Sequence, residues 1–138
     1  MREGAGIERL LSPAVDLTMR SLRLLTNECS DPMFTYPGLG WVRGMYVAAE
    51  RVLESSASPL FGDFSGSPPL FLQARSIEIL RDESIRAAEH AHRSGTAVEL
   101  EIWKGMAHVF QALRMVPQAH AANENIVRFI AKHTGWTV

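Results

Sequence analysis

Glu78 and His108 are the residues of this chain whose types and spacing could do acid–base chemistry. They stand thirty residues apart, the length of one βα unit. Glu78 follows the short apolar run Leu70-Phe71-Leu72-Gln73, and His108 follows the alternating run Val98-Glu99-Leu100-Glu101-Ile102-Trp103. In parallel α/β sheets ligands sit at the carboxyl ends of strands, so groups placed just past two neighbouring strands can converge there. A carboxylate in that position fixes the tautomer of an imidazole and stabilises its charged form, while the imidazole takes a proton from a hydroxyl. The histidine needs a sharp turn after its strand, and Gly105 supplies the backbone freedom. Asp82 is a competing acid, four residues further on and therefore on the same side of a helix start. Glu78 is preferred because it falls nearer the strand end. The same residues also suit a surface carboxylate and an ordinary loop histidine, and spacing alone leaves both readings open.

The elements that must position this pair read as alternating strands and helices. Ile7 to Leu11 is a short strand, stopped at Pro13, which cannot donate to a ladder. A polar connection runs through Asp16, Asn27, Cys29 and Ser30, punctuated by Asp31-Pro32 and Tyr36-Pro37-Gly38. From about Leu39 to Leu53, Val42, Met45, Tyr46, Ala49, Val52 and Leu53 recur at helical spacing. The segment from Ser58 to Pro69 is dense in turn residues but apolar enough to pack down. The strand at Leu70–Ala74 follows, then a helix over roughly 81–94 with Ile85, Ala88 and Ala91 or His92 inward, stopped at Gly95. The strand at Ala97–Trp103 leads to a last helix, about Ala119 to Lys132, with Ile126, Val127, Phe129 and Ile130 as its buried stripe. The expected class is α/β: a three-stranded parallel sheet with flanking helices and right-handed crossovers.

Composition narrows the functions available. A chain of 138 residues with 46% apolar and 21% charged residues can bury a real core as one domain. A formal net charge of −1 offers no basic field for nucleic acid or an anionic membrane. The single cysteine, Cys29, excludes an internal disulfide and a thiolate cluster, which suits a reducing cytoplasm. Met1-Arg2-Glu3-Gly4 is polar and the apolar run after it is short, so no secretory leader is expected, nor does any stretch approach a membrane span.

The remaining chemistry-bearing residues read as structural, and no metal or cofactor is expected. His90 and His92 do not share a helix face, and His120 and His133 lie at the two ends of the last helix. Trp41 and Trp103 read as core or pocket walls, and Trp136 as part of a tail. Cys29 has no base near it in sequence. Met33, Phe34, Tyr36, Met106 and Phe110 could line an acyl pocket or could equally be plain core.

Taken together, Leu11-Ser12-Pro13-Ala14-Val15-Asp16-Leu17-Thr18, Asp31-Pro32-Met33, Ser58-Pro59-Leu60-Phe61, Gly66-Ser67-Pro68-Pro69-Leu70, Glu78-Ile79-Leu80-Arg81-Asp82-Glu83-Ser84 and Glu101-Ile102-Trp103-Lys104-Gly105-Met106-Ala107-His108-Val109-Phe110 occur in an order and with gaps that run through nearly the whole chain. This set resembles the C-terminal half of hormone-sensitive-lipase-like carboxylesterases of the α/β-hydrolase superfamily. The resemblance implies a partial α/β-hydrolase fold and carboxylic ester hydrolysis. It implies Glu78 as the triad acid, His108 as the general base and Asp82 as a supporting residue near the turn; of the five pocket candidates, Met106 and Phe110 are the ones set against a small ester substrate. Arg75 stands where such relatives usually carry glycine, and Ala107 where they carry proline before the histidine. A bulky Arg75 would be strained if the backbone there required positive φ.

In this superfamily the chain order is nucleophile, acid, histidine, with the nucleophile in a G-x-S-x-G elbow. No such motif occurs here: Gly62-Asp63-Phe64-Ser65-Gly66 has the letters in the wrong spacing, next to the acid-side strand and off any strand-to-helix elbow. The glycine-rich oxyanion loop is absent as well. Residues 1–138 are therefore expected to be the C-terminal portion of such a domain, inactive alone because nucleophile and oxyanion hole are both missing. The alternative is a non-catalytic interaction module. The resemblance suggests a homodimer through the last strand, at Val98–Ile102, and an open edge invites such pairing.

Overall fold

The computed structural model describes residues 6–106 and 108–136. Strands β1 (Glu8–Leu11), β2 (Leu70–Arg75) and β3 (Val98–Trp103) form one parallel sheet in the order β1-β2-β3. Leu10 stands beside Leu72, and Leu72 beside Leu100, so apolar residues align across the sheet. All six residues of β2 are buried, as a central parallel strand covered on both faces requires. β1 shows Glu8 and Arg9 to solvent, as an edge strand should.

One helix covers each face. Helix α3 (Arg81–Arg93) packs Ala87, Ala88 and Ala91 against Leu70 and Leu72, with Leu10, Val98 and Leu100 completing that core. The small side chains let the helix approach the sheet closely. Asp82 and Glu83 occupy its first turn, where the helix dipole favours negative charge, and Gly95 follows its end at φ +85°. Helix α4 (Pro117–Thr134) covers the other face: Ile126 and Phe129 meet Phe71, with the Phe71 and Phe129 ring centroids 5.0 Å apart. Pro117 starts α4, and Gly135, at φ +71°, stops it. A polar cluster ties the layers together. Gln73 donates to Glu101 at 2.9 Å and to the Ala122 carbonyl at 3.0 Å, and it accepts from Gln111 at 2.8 Å.

The segment between β1 and β2 departs from the reading of the sequence. The polar connection contains a five-residue helix, α1 (Leu22–Thr26), whose Leu24 is buried against Ile79 and Leu80. The helix expected over Leu39–Leu53 is α2, Tyr36–Tyr46, followed by a 3-10 turn at Ala49–Arg51. Pro37 sits at its start and Thr35 caps it, accepting from the Gly38 N–H at 3.2 Å. Its apolar residues do not form a buried stripe: Trp41, Val42, Met45 and Tyr46 are all exposed, Trp41 at 68%. Trp41 is thus no core residue, whereas Trp103 packs 5.4 Å from Phe110 as expected. Helical spacing states which residues share a face, not whether anything lies opposite. The turn-rich segment does pack down, with Ser58 and Leu60 buried and a 3-10 turn at Pro59–Phe61. Ser65 lies in an exposed turn, its N–H donating to Asp63 at 2.8 Å.

Candidate active site

The carboxyl ends of β2 and β3 carry the acid and the imidazole. Glu78 lies in the turn between β2 and α3, and His108 in the turn after β3; the adjacent strands are parallel, so both turns emerge at the same end of the sheet. Nδ1 of His108 stands 3.4 Å from Oε2 of Glu78, at the long end of hydrogen-bonding range. A carboxylate there accepts from Nδ1–H and leaves the Nε2 lone pair available as a base. Glu78 is fully buried and His108 is 15% exposed, so the imidazole is the member that reaches solvent. Gly105 turns the chain after β3 at φ +67°. Val109, directly after the histidine, is held at φ +50°, an uncommon conformation for a β-branched residue. Phe34 meets the His108 ring edge to face, 4.6 Å between centroids. Ala107, where the family pattern has proline, lies outside the described residues.

Two further charged residues complete the constellation, and sequence reasoning did not foresee either role. Arg75 ends β2 opposite Trp103, in extended strand pairing rather than at positive φ, so its bulk meets no backbone strain. Its guanidinium is fully buried: Nε donates to Glu78 Oε2 at 3.3 Å, Nη2 donates to Asp31 Oδ1, and Nη1 donates to the Met106 carbonyl at 3.3 Å. The Arg75 N–H also donates to Glu78 Oε1 at 3.2 Å. Asp31 accepts from the N–H groups of Met33 at 2.9 Å, Phe34 at 3.2 Å and Ile79 at 3.0 Å. Burial pushes the Asp31 carboxyl up, but the Met33 and Ile79 N–H groups and the Arg75 guanidinium outweigh it and hold the group below the usual carboxylate range.

Asp82 faces α1 rather than the imidazole, 3.6 Å from Arg23 and 3.4 Å from its neighbour Arg81. Phe110 is buried among Trp103, Ala119 and Ala122, in the core under α4, and Met106 packs half-buried against that cluster. Met33 is exposed, while Phe34 and Tyr36 pack half-buried around Ile79 and Leu80. An apolar cleft of about 300 Å³ opens beside the acid turn, lined in part by Leu17, Met19, Leu39, Val42, Tyr46 and Leu80; neither Glu78 nor His108 borders it. On its wall Glu83 accepts from the Val15 N–H at 2.6 Å and the Asp16 N–H at 2.9 Å. Burial pushes the Glu83 carboxyl up to about 7 against those two donors.

Residues 7–112 match a family described as having the alpha/beta hydrolase fold. An esterase of Acinetobacter venetianus is 33% identical over 122 residues, which are 87% of this chain and 40% of that protein. An acetyl-hydrolase of Streptomyces hygroscopicus is 30% identical over 126 residues, 91% of this chain and 42% of that protein. Among solved structures, a hormone-sensitive lipase from a metagenome library superposes with a TM-score of 0.86 at 32% identity, covering 92% of this chain and 44% of the other. A variant of the esterase E40 gives a TM-score of 0.89 at 29% identity, with 94% and 44% covered. The chain thus spans less than half the length of the relatives it matches.

Proposed function

The chain belongs to the α/β-hydrolase family, among its esterases and hormone-sensitive-lipase-like members, and from that premise we propose that it carries the acid and the general base of a carboxylic ester hydrolase. Glu78 is the acid, holding His108 in the Nδ1–H tautomer; His108 Nε2 takes the proton of the attacking serine hydroxyl and returns it to the leaving alcohol. The observation that carries this reading is the 3.4 Å approach of His108 Nδ1 to a fully buried carboxylate oxygen at the carboxyl ends of adjacent parallel strands. Asp82 supports the acid turn through Arg23 and Arg81. Met106 is the residue set against the substrate in this reading; it packs on Phe110, which is buried behind it under α4.

Residues 1–138 form the C-terminal portion of the domain, and the serine and oxyanion donors belong to sequence preceding it. The substrate class is a small carboxylic ester. The test joins this chain to an N-terminal half that carries such a serine and oxyanion loop, encoded by any open frame that runs into Met1 from upstream. Turnover of p-nitrophenyl acetate by the joined protein should fall by roughly a hundredfold or more in His108→Ala and Glu78→Gln. The chain by itself should match its own His108→Ala variant. A joined protein indifferent to His108, or a burst from the chain alone that His108→Ala abolishes, overturns the reading.

A second reading follows from the sheet edges. Among the described residues β3 pairs only with β2, and Ile102 on it is exposed. Pairing through Val98–Ile102 would make a homodimer, with the chain acting as an interaction module. Sedimentation at high concentration tests it, and a clean monomer removes it.

A further inference from the structure

We propose that Arg75 is a positioning residue: its buried guanidinium joins the three loops that surround His108 and aims Glu78 at the imidazole. The inference rests on the Glu78–His108 reading and goes beyond it.

Each donating nitrogen of the side chain serves a different loop. Nε holds Glu78 Oε2, the oxygen that also faces His108 Nδ1. Nη2 holds Asp31, whose carboxylate gathers the N–H groups of Met33 and Phe34 and so sets Phe34 against the His108 ring. Nη1 holds the carbonyl of Met106, two residues before His108. Asp31 also accepts from Ile79 N–H, locking the first loop to the acid turn. The side chains of Arg75, Asp31 and Glu78 are all fully buried. One guanidinium between two buried carboxylates keeps either from standing as an uncompensated buried charge. Its planar fork fixes directions as well as charge, which an ammonium cannot do. The main-chain N–H of the same residue binds the second Glu78 oxygen, so Arg75 holds both carboxylate oxygens.

The experiment reads the His108 tautomer in the full chain by nitrogen-15 NMR of labelled histidine, at alkaline pH. His90, whose Nδ1 lies 2.8 Å from the Leu60 carbonyl, is the internal control. Glu78→Gln should lower the Nδ1–H share of His108, and Arg75→Met should lower it by a similar factor, roughly twofold or more, with His90 unmoved. Arg75→Lys should fall between Arg75→Met and the parent, because it restores charge without the fork. If Arg75→Met loses the dispersed spectrum of a folded chain, Arg75→Lys alone decides: parent-like tautomer shares there overturn the proposal. A response to Glu78→Gln with none to either Arg75 variant overturns the role of Arg75 and leaves the Glu78–His108 pair standing. No response to Glu78→Gln removes the pair itself, and the proposal with it.

Discussion

Phe34 presses against His108 with ring planes 89° apart and centroids 4.6 Å apart, and it reaches that place from a loop more than seventy residues earlier in the chain. Edge-to-face contacts of this kind contribute about 1 kcal/mol beyond area burial. The ring also walls one side of an imidazole that is only 15% exposed. Replacing Phe34 by Ala should therefore open His108 to solvent while leaving Glu78 in place. Modification by diethyl pyrocarbonate, followed by peptide mass, should show residue 108 reacting several-fold faster in Phe34→Ala, with His120 unchanged as an exposed reference. Equal rates at residue 108 would mean that Phe34 does not shield the ring.

Helix α2 turns a second contact question into a surface property. Trp41, Met45 and Tyr46 are exposed at 68%, 63% and 69%, on a helix with no buried residue. A contiguous apolar surface of that kind promotes association. The triple change Trp41→Glu, Met45→Lys, Tyr46→Ser should cut binding of an anilinonaphthalene dye and raise the monomer fraction in size-exclusion chromatography, with urea unfolding shifted by less than about 0.5 kcal/mol. A loss of stability comparable to a core deletion would show that this face is packed in solution.

The sequence announced the sheet and its two covering helices because their apolar residues follow the element: the continuous buried run Leu70-Phe71-Leu72 in β2, and the helix-spaced pairs Ala88 and Ala91 in α3 and Ile126 and Phe129 in α4. It pointed to Glu78 and His108 as a candidate pair because each falls just past a strand. It did not announce Asp31 and Arg75 as site members. Their partnership spans 44 residues, and a charged residue carries no mark of which distant charge it will meet. Arg75 read as a bulky intruder in a turn; the turn in fact begins after it, and its length lets one side chain reach three loops. The exposed face of α2 failed for a different reason, since periodicity cannot state what lies across from a helix.

Gly105 makes the turn toward His108 at φ +67°, and an added Cβ would meet nothing within 4 Å. Only backbone conformation therefore opposes a side chain there. Gly105→Ala should cost about 1–2 kcal/mol, the penalty of the left-handed region for an L-residue, and Gly105→Asn less. Urea midpoints compared at constant slope measure this. A neutral Gly105→Ala would mean that the turn has shifted, and the His108 tautomer should then shift with it.

Glu83 should give folding a pH dependence opposite in sign to that of its neighbour Asp16. Burial raises its folded value to about 7 from an ordinary 4.5, so between those values the native chain binds a proton that the unfolded chain has released. Glu83's contribution should therefore lower stability as pH rises through that interval, by roughly 3 kcal/mol in all, with no recovery above it. Asp16, beside it, behaves oppositely. Burial raises its carboxyl, but donation from the Thr18 hydroxyl and from Arg86 outweighs that and leaves it below 3.8. Its contribution is present above 3.8 and is lost as pH falls through its lower folded value, so the two trends do not overlap. Glu83→Gln keeps an oxygen for the Val15 and Asp16 N–H groups and removes the charge. The variant should flatten the decline between pH 4.5 and 7 and exceed the parent in stability at pH 8, read from urea midpoints across the range. A variant that follows the parent's slope would place the titrating group elsewhere.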